Sequence, residues 1–341
     1  MADGNPPLVI AHRGASGYRP EHTLASYALA IQMGADFVEP DLVSTRDGVL
    51  VCRHENEIGG TTDVAAHPEF AARRTTKVVD GVAMEGWFTE DFTLAELKTL
   101  RARERLPQLR PRNAELDGRF EVPTLEEVIA LVQRESAARG RTIGIYPETK
   151  HPTYFQSIGL GLEDPLLAAL ERVGWTGADA PVFIQLFETA NLRMLRGRTG
   201  VRLVQLMEAQ GRPYDFTARG EARTYADLAT PAGLAEIATY ADAIGPDKSM
   251  VIPRDGDGRL LPPAPLVADA HAALLDVHPW TLRSENYFLP ADLRAGDPAD
   301  PFFLRLHGDA QAEAAAFFAA GVDGVFADFP DVALRARAAI S

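Results

Sequence analysis

The sequence predicts an α/β fold, a (β/α)8 TIM barrel with a small insertion after the early strands. Three observations carry that prediction. Eight short apolar runs recur along the 341 residues, with helix-like stretches between most of them, as alternating parallel strands and crossover helices require. Several of these runs end in charged or polar residues, which a packed barrel interior excludes and its C-terminal mouth accepts. One charge-rich segment, approximately 55–121, breaks the alternation and reads as the insertion. The whole chain, 1–341, is expected to form a single domain.

The expected strands are 8–12, 36–42, 142–148, 181–187, 202–207, 241–245, 274–280 and 321–328. Helices are expected at 23–33, 124–138 and 309–320, followed closely by Gly34, Gly140 and Gly321, because glycine readily takes the left-handed conformation that ends a helix. A further strand, 49–54, follows Asp47-Gly48 too soon for a crossover helix, so it must run antiparallel to the second strand. A turn centred on Asp47-Gly48 would set His54 opposite Asp41. Within the insertion one helix is expected at 93–105. The segments 254–265 and 287–301 read as loops.

Composition excludes several functions. Thirty-four Lys and Arg against 48 Asp and Glu give a net charge of −14, which repels nucleic acid and anionic membranes. No apolar run approaches the roughly 18 residues that span a bilayer, so no stable membrane insertion is expected. Residues 1–7 show no signal peptide. A single cysteine, Cys52, rules out an intramolecular disulfide and a cysteine zinc site, and it reads as a small buried filler rather than a nucleophile. Oligomeric state is not encoded in any of these features.

The strand ends carry the candidate chemistry. Glu39 and Asp41 lie two residues apart, so strand alternation turns both carboxylates to one face, and Glu148 arrives from the next strand. Three hard oxygen donors at one mouth suit a divalent cation such as Ca²⁺ or Mg²⁺. His12 and His54 reach the same mouth and can divide the work of general base and general acid around a bound anion. Arg13, in the glycine-containing turn 12–17, is a natural phosphate ligand. Lys150 either adds a second positive charge or pairs with Glu148. Gln185 lies near the end of the fourth strand. Trp280 either walls the pocket or packs in the core, and Phe187 carries the same two readings. His22, His67, His151, His271, His278 and His307 read as structural or surface residues.

Taken together, Val9-Ile10-Ala11-His12-Arg13-Gly14-Ala15-Ser16-Gly17, Pro20-Glu21-His22-Thr23-Leu24, Glu39-Pro40-Asp41-Leu42, Thr45-Arg46-Asp47-Gly48, His54, the stretch 144–150, Ile244-Gly245-Pro246-Asp247 and the stretch 324–330 closely resemble the glycerophosphodiester phosphodiesterase family, especially its bacterial periplasmic branch. The resemblance implies metal-dependent hydrolysis of small-molecule glycerophosphodiesters to sn-glycerol 3-phosphate and an alcohol, through a cyclic phosphate. It implies His12 and His54 as the acid–base pair and Arg13 on the phosphoryl oxygens. It also implies one divalent ion, Ca²⁺ ahead of Mg²⁺, on Glu39, Asp41 and Glu148, and a periplasmic or exported location. The chain departs from many members at His22, where they carry Asn, and at Glu55, where they carry Asp. A related lipid phosphodiesterase of the phospholipase D or sphingomyelinase D kind, and an inactive binding protein on the same fold, remain as alternatives. An amidohydrolase is disfavoured because the first strand lacks a His-x-His pair.

Overall fold

A computed structural model describes residues 6–340; residues 1–5 of the segment read for a signal peptide lie outside that range. Strand β1 (Leu8–His12) pairs with the next barrel position, which consists of two stretches, β2 (Phe37–Glu39) and β3 (Asp41–Ser44). They are divided at Pro40, which has no N–H to give to a ladder. A short strand β4 (Leu50–Cys52) runs antiparallel to β3, and a hairpin of β5 (Thr75–Val79) and β6 (Val82–Gly86) stands in the insertion. The third barrel position is again split, into β7 (Gly144–Ile145) and β8 (Glu148–Thr149), at Tyr146-Pro147. Then come β9 (Phe183–Leu186), β10 (Arg202–Met207), β11 (Ala243–Pro246), β12 (Asp276–Val277) and β13 (Gly324–Ala327).

All barrel pairings are parallel, running β13-β1-β2-β7 in one sheet and β12-β11-β10-β9-β8-β3 in the other. Bridges Ile145 to Val182 and Leu282 to Ala327 join the two sheets, and Phe326 N–H donates to the Pro279 carbonyl at 3.0 Å. The eight positions thus form the (β/α)8 arrangement expected. Ile10, Phe37, Tyr146, Phe183, Val204, Ala243 and Phe326 fill its interior. Tyr146 meets Phe326 edge-on, 5.0 Å between ring centres, the arrangement that aromatic quadrupoles favour. Burying each such ring contributes about 1.5–3 kcal/mol. Gly144 makes room for this: a Cβ there would sit 2.1 Å from the Phe37 ring, so Gly144→Ala would break the packing.

The predicted helices form, with bounds Leu24–Met33, Leu125–Arg139 and Ala310–Ala319. Thr23 and Thr124 cap the first two through their hydroxyls, and Gly34 and Gly140 end them in the left-handed conformation. No helix among the described residues is long and apolar enough to cross a membrane.

Two expectations fail. The helix predicted at 93–105 stops at Leu97, after four residues. The following residues instead pair with 61–63: Arg101 N–H donates to Asp63 Oδ1 at 2.7 Å and Arg103 N–H to the Thr61 carbonyl at 2.9 Å. These tertiary bonds override a helical apolar spacing. Second, Asp41 does not face His54. The loop Arg46-Asp47-Gly48 has three residues, closed by Thr45 N–H to the Val49 carbonyl at 3.0 Å with Gly48 at φ 77°, so the register shifts by one. Leu42 faces Cys52, and Arg53 N–H donates to the Asp41 carbonyl at 3.0 Å. His54 lies one residue beyond, off the ladder.

Candidate active site

Glu39 ends β2 and Asp41 opens β3, while Glu148 opens β8 directly alongside Asp41. One oxygen from each lies within 4.8 Å of the other two, and all three side chains are buried. Three carboxylates cannot all stay ionised at that spacing without a counter-charge. Burial, and then the charge of Asp41, push Glu39 well above the usual carboxylate range. Burial likewise lifts Glu148 to about 8, against the opposing charge of Lys150. Asp41 goes the other way: burial raises it, but Lys150, His54 and a hydrogen bond from His22 hold it well below its ordinary value.

The remaining contacts fix the triad's orientation. His22 Nε2 donates to Asp41 Oδ2 at 2.9 Å, and its Nδ1 meets the Tyr27 hydroxyl at 2.8 Å. Arg13 N–H donates to Glu39 Oε2 at 2.8 Å, Gln185 Nε2 to Glu39 Oε1 at 3.2 Å, and Lys150 Nζ to Glu148 Oε1 at 2.7 Å. Asp41 Oδ1 is buried with no hydrogen-bond partner among the described residues. A hard divalent cation fits this donor set, since it would ligate the orphaned oxygen and neutralise the acids together. Arg13 and His22 both take positive φ, 58° and 53°, costing each about 1–3 kcal/mol. They are held there partly by His22 N–H donating to the Arg13 carbonyl at 3.1 Å.

The two candidate acid–base groups sit beside the triad. His12 Nδ1 lies 2.6 Å from Asp328 Oδ1, and Asp328 is a carboxylate: burial raises it, but Arg283, Arg110 and His12 hold it well below the ordinary range. Nδ1 therefore donates and Nε2 is left as the acceptor. His54 Nδ1 bonds Glu55 Oε1 at 2.5 Å in the same way, and Lys150 Nζ lies 3.3 Å from its Nε2. Burial, then the charge of Arg13, lower His12 to about 4. Burial, Arg13 and Lys150 lower His54 to about 3. Both imidazoles are neutral at pH 7.

His12, Arg13, Glu39, His54, Glu148, Lys150, Gln185 and Trp280 line one pocket of about 80 Å³, and Asp41 stands beside two of its walls, Glu39 and Glu148. Lys150 pairs with Glu148, and the same ammonium stands beside His54. Trp280 walls the pocket while its Nε1 donates to the Gly245 carbonyl at 2.8 Å, and its ring meets Phe187 at 5.9 Å.

Comparison with known proteins gives this arrangement its context. A profile of the glycerophosphoryl diester phosphodiesterase family matches residues 12–332. The chain belongs to that family. Like other glycerophosphoryl diester phosphodiesterases, it is an enzyme, a phosphoric diester hydrolase. A glycerophosphodiester phosphodiesterase of Arabidopsis thaliana is 37% identical over 95% of this chain and 84% of the relative. One from Haemophilus influenzae is 29% identical over 96% and 89%. A crystal structure from Silicibacter pomeroyi matches 99% of this chain and 95% of its own with TM-score 0.68 at 21% identity. An Oleispira antarctica phosphodiesterase, solved in complex with the product sn-glycerol-3-phosphate, matches 97% and 96% with TM-score 0.61, also at 21% identity. At that identity the two structures speak for the fold alone.

Four residues around this pocket carry no sequence signal of their own. Arg105 and Arg110 lie in the insertion, where no periodicity points at the mouth. Arg283 lies past β12 and donates to Asp328 Oδ2 at 2.9 Å. Glu21 receives Arg13 Nη1 at 3.0 Å and stands in a motif read only for its resemblance. His22, read as structural or surface, is structural in the strict sense: it holds a candidate metal ligand.

Proposed function

We propose that this chain hydrolyses glycerophosphodiesters to sn-glycerol 3-phosphate and an alcohol, with His12 and His54 as the acid–base pair. Glu39, Asp41 and Glu148 would hold one divalent ion, Ca²⁺ ahead of Mg²⁺, and Arg13 and Lys150 would meet the phosphoryl oxygens. Gln185 orients Glu39, and Trp280 bounds the substrate. The observation that carries this reading is the convergence in one pocket of the acidic triad with two neutral histidines, each backed by a carboxylate at Nδ1. The names of the Arabidopsis thaliana and Haemophilus influenzae relatives, both glycerophosphodiester phosphodiesterases, support the same choice of substrate.

When bound, the cation neutralises the phosphodiester and the charge that builds in transfer. The protein groups do the rest. A glycerol hydroxyl next to the phosphate attacks phosphorus while one histidine takes its proton at Nε2. The P–O bond to the alcohol breaks, and the other histidine delivers a proton to the departing oxygen. Water then opens the cyclic phosphate with the two histidines exchanging roles. One imidazole must be protonated to start. The anionic substrate offsets Arg13 and Lys150, two charges that help keep His54 neutral, and so favours that proton.

The test is release of sn-glycerol 3-phosphate from several glycerophosphodiesters, before chelation, after it, and with Ca²⁺ or Mg²⁺ restored. Activity should vanish on chelation and return with metal. Turnover that survives verified metal removal would overturn the metal site. Release from none of these substrates would overturn the substrate class.

A further inference from the structure

The insertion sends two arginines to the backs of the two histidines. Arg105 lies in an irregular stretch anchored by Ala102 N–H to the Phe120 carbonyl at 2.7 Å and Glu104 N–H to Asp117 Oδ1 at 2.7 Å. Its guanidinium is a two-sided fork. Nε reaches both oxygens of Glu21 at 3.0 Å, and Nη2 reaches Glu21 Oε1 at 2.6 Å. On the other side, Nη1 and Nη2 hold the two oxygens of Glu55 at 2.9 and 2.6 Å. Glu55 is the carboxylate on His54, and Glu21 is the carboxylate on Arg13. Five residues further on, Arg110 Nη2 holds Asp328 Oδ2 at 2.5 Å, leaving Oδ1 for His12, while Nε bonds Glu285 at 2.6 Å and Nη1 the Ser16 carbonyl at 3.1 Å.

We infer that Arg105 and Arg110 are paired positioning residues, so that one short stretch of the insertion orients the imidazoles of both His54 and His12 through Glu55 and Asp328. This rests on the acid–base reading above. Neither arginine lines the pocket, so each acts through its carboxylate. The geometry also explains the residue type. At Arg105 only a planar fork holds two carboxylates bidentately from one stem, and at Arg110 only three separately directed N–H groups reach Glu285, Ser16 and Asp328 together; an ammonium is a single point charge. A histidine freed to rotate off its carboxylate loses both the fixed tautomer and the aim of Nε2, which costs turnover more than binding.

The experiment is steady-state release of sn-glycerol 3-phosphate by Arg105→Ala, Arg105→Lys, Arg110→Ala and Arg110→Lys, with His12→Ala and His54→Ala in the same assay and thermal unfolding recorded for all. Folded alanine variants should lose about 10- to 100-fold in kcat; KM should change by less than about threefold for Arg110→Ala and rise further for Arg105→Ala, which also frees Glu21 behind Arg13. Added guanidinium should restore part of the Arg105→Ala loss. The lysine variants keep the charge and lose the fork, so they should fold and remain impaired; they decide the matter if the alanine variants do not fold. Full kcat in the folded lysine variants, or an Arg105→Ala loss that guanidinium leaves unmoved, would overturn the inference. Active histidine variants would instead overturn the acid–base reading. Inactive histidine variants beside fully active lysine variants would remove this inference alone.

Discussion

The two candidate acid–base histidines are built by different parts of the molecule. His12 ends β1, which is paired on both sides, by β13 and β2. Its side chain is 11% exposed, and Asp328, which orients it, is 3% exposed and comes from the far end of the chain. His54 lies past β4, off the ladder, with 30% of its side chain exposed, and Glu55, which follows it directly, is also 30% exposed. The insertion backs both carboxylates, but the barrel also fixes His12 with paired strands, whereas His54 is held by side chains alone. A strand end cannot move without breaking a ladder; a turn residue can. The difference assigns rigidity to the His12 side and leaves adjustment to the His54 side.

The largest effect expected is loss of either imidazole. His12→Ala and His54→Ala should each lower kcat/KM by roughly 10²- to 10⁴-fold, the range for one general acid or base, with little change in thermal unfolding. Release of sn-glycerol 3-phosphate measures it. Substantial residual activity in one of them would break the symmetry of role on which the contrast of support depends.

The supports themselves should differ in size. Asp328 serves His12, Arg110 and Arg283 at once. Asp328→Asn takes the carboxylate from Arg283 and one of two from the buried Arg110, which keeps Glu285, and should cost about 2–3 kcal/mol of stability as well as turnover. Glu55→Gln weakens a partly exposed cluster, Glu55 with His54 and the bidentate Arg105, and should cost about 1 kcal/mol, with roughly a tenfold fall in kcat. Chemical denaturation of the two variants side by side tests this. Equal destabilisation would mean that the insertion is as rigid a scaffold as the barrel.

The same contrast governs what the sequence disclosed. The barrel half was readable. Apolar runs mark β1, β9 and β10, the pairing Glu39-Pro40-Asp41 follows from period-two alternation, and Thr23 and Gly34 announce the ends of a helix. Each of these is a local rule, so each survives without knowledge of the fold. The insertion half was not readable. Arg105 finds Glu21 across 84 residues and Arg110 finds Asp328 across 218, and no local pattern encodes contacts of that reach. The apolar spacing after Leu97 looks helical until Asp63 claims the Arg101 N–H. The register of His54 depended on whether the turn used two residues or three, and Thr45 settled that by closing on Val49.

The smallest effect is a pH response that starts in the insertion. Glu104, next to Arg105, is buried; its Oε1 accepts from Leu106 N–H at 2.8 Å and its Oε2 from Asn113 Nδ2 at 2.9 Å. Burial pushes its carboxyl up to about 7, although Arg110 and these hydrogen bonds pull it down. Between its ordinary value of 4.5 and about 7, the folded protein keeps a proton that the unfolded chain has released. Stability contributed by this group is therefore full below 4.5 and falls as pH rises towards about 7, by at most roughly 1.4 kcal/mol per pH unit. Glu104→Gln mimics the protonated acid and cannot titrate. Relative to wild type, it should gain unfolding free energy between pH 5 and pH 8. A flat difference across that range would mean that Glu104 ionises as freely as a surface acid. The stretch bearing Arg105 and Arg110 would then be better solvated than its contacts imply, and alkaline pH would not loosen the support that it gives to Glu55 and Asp328.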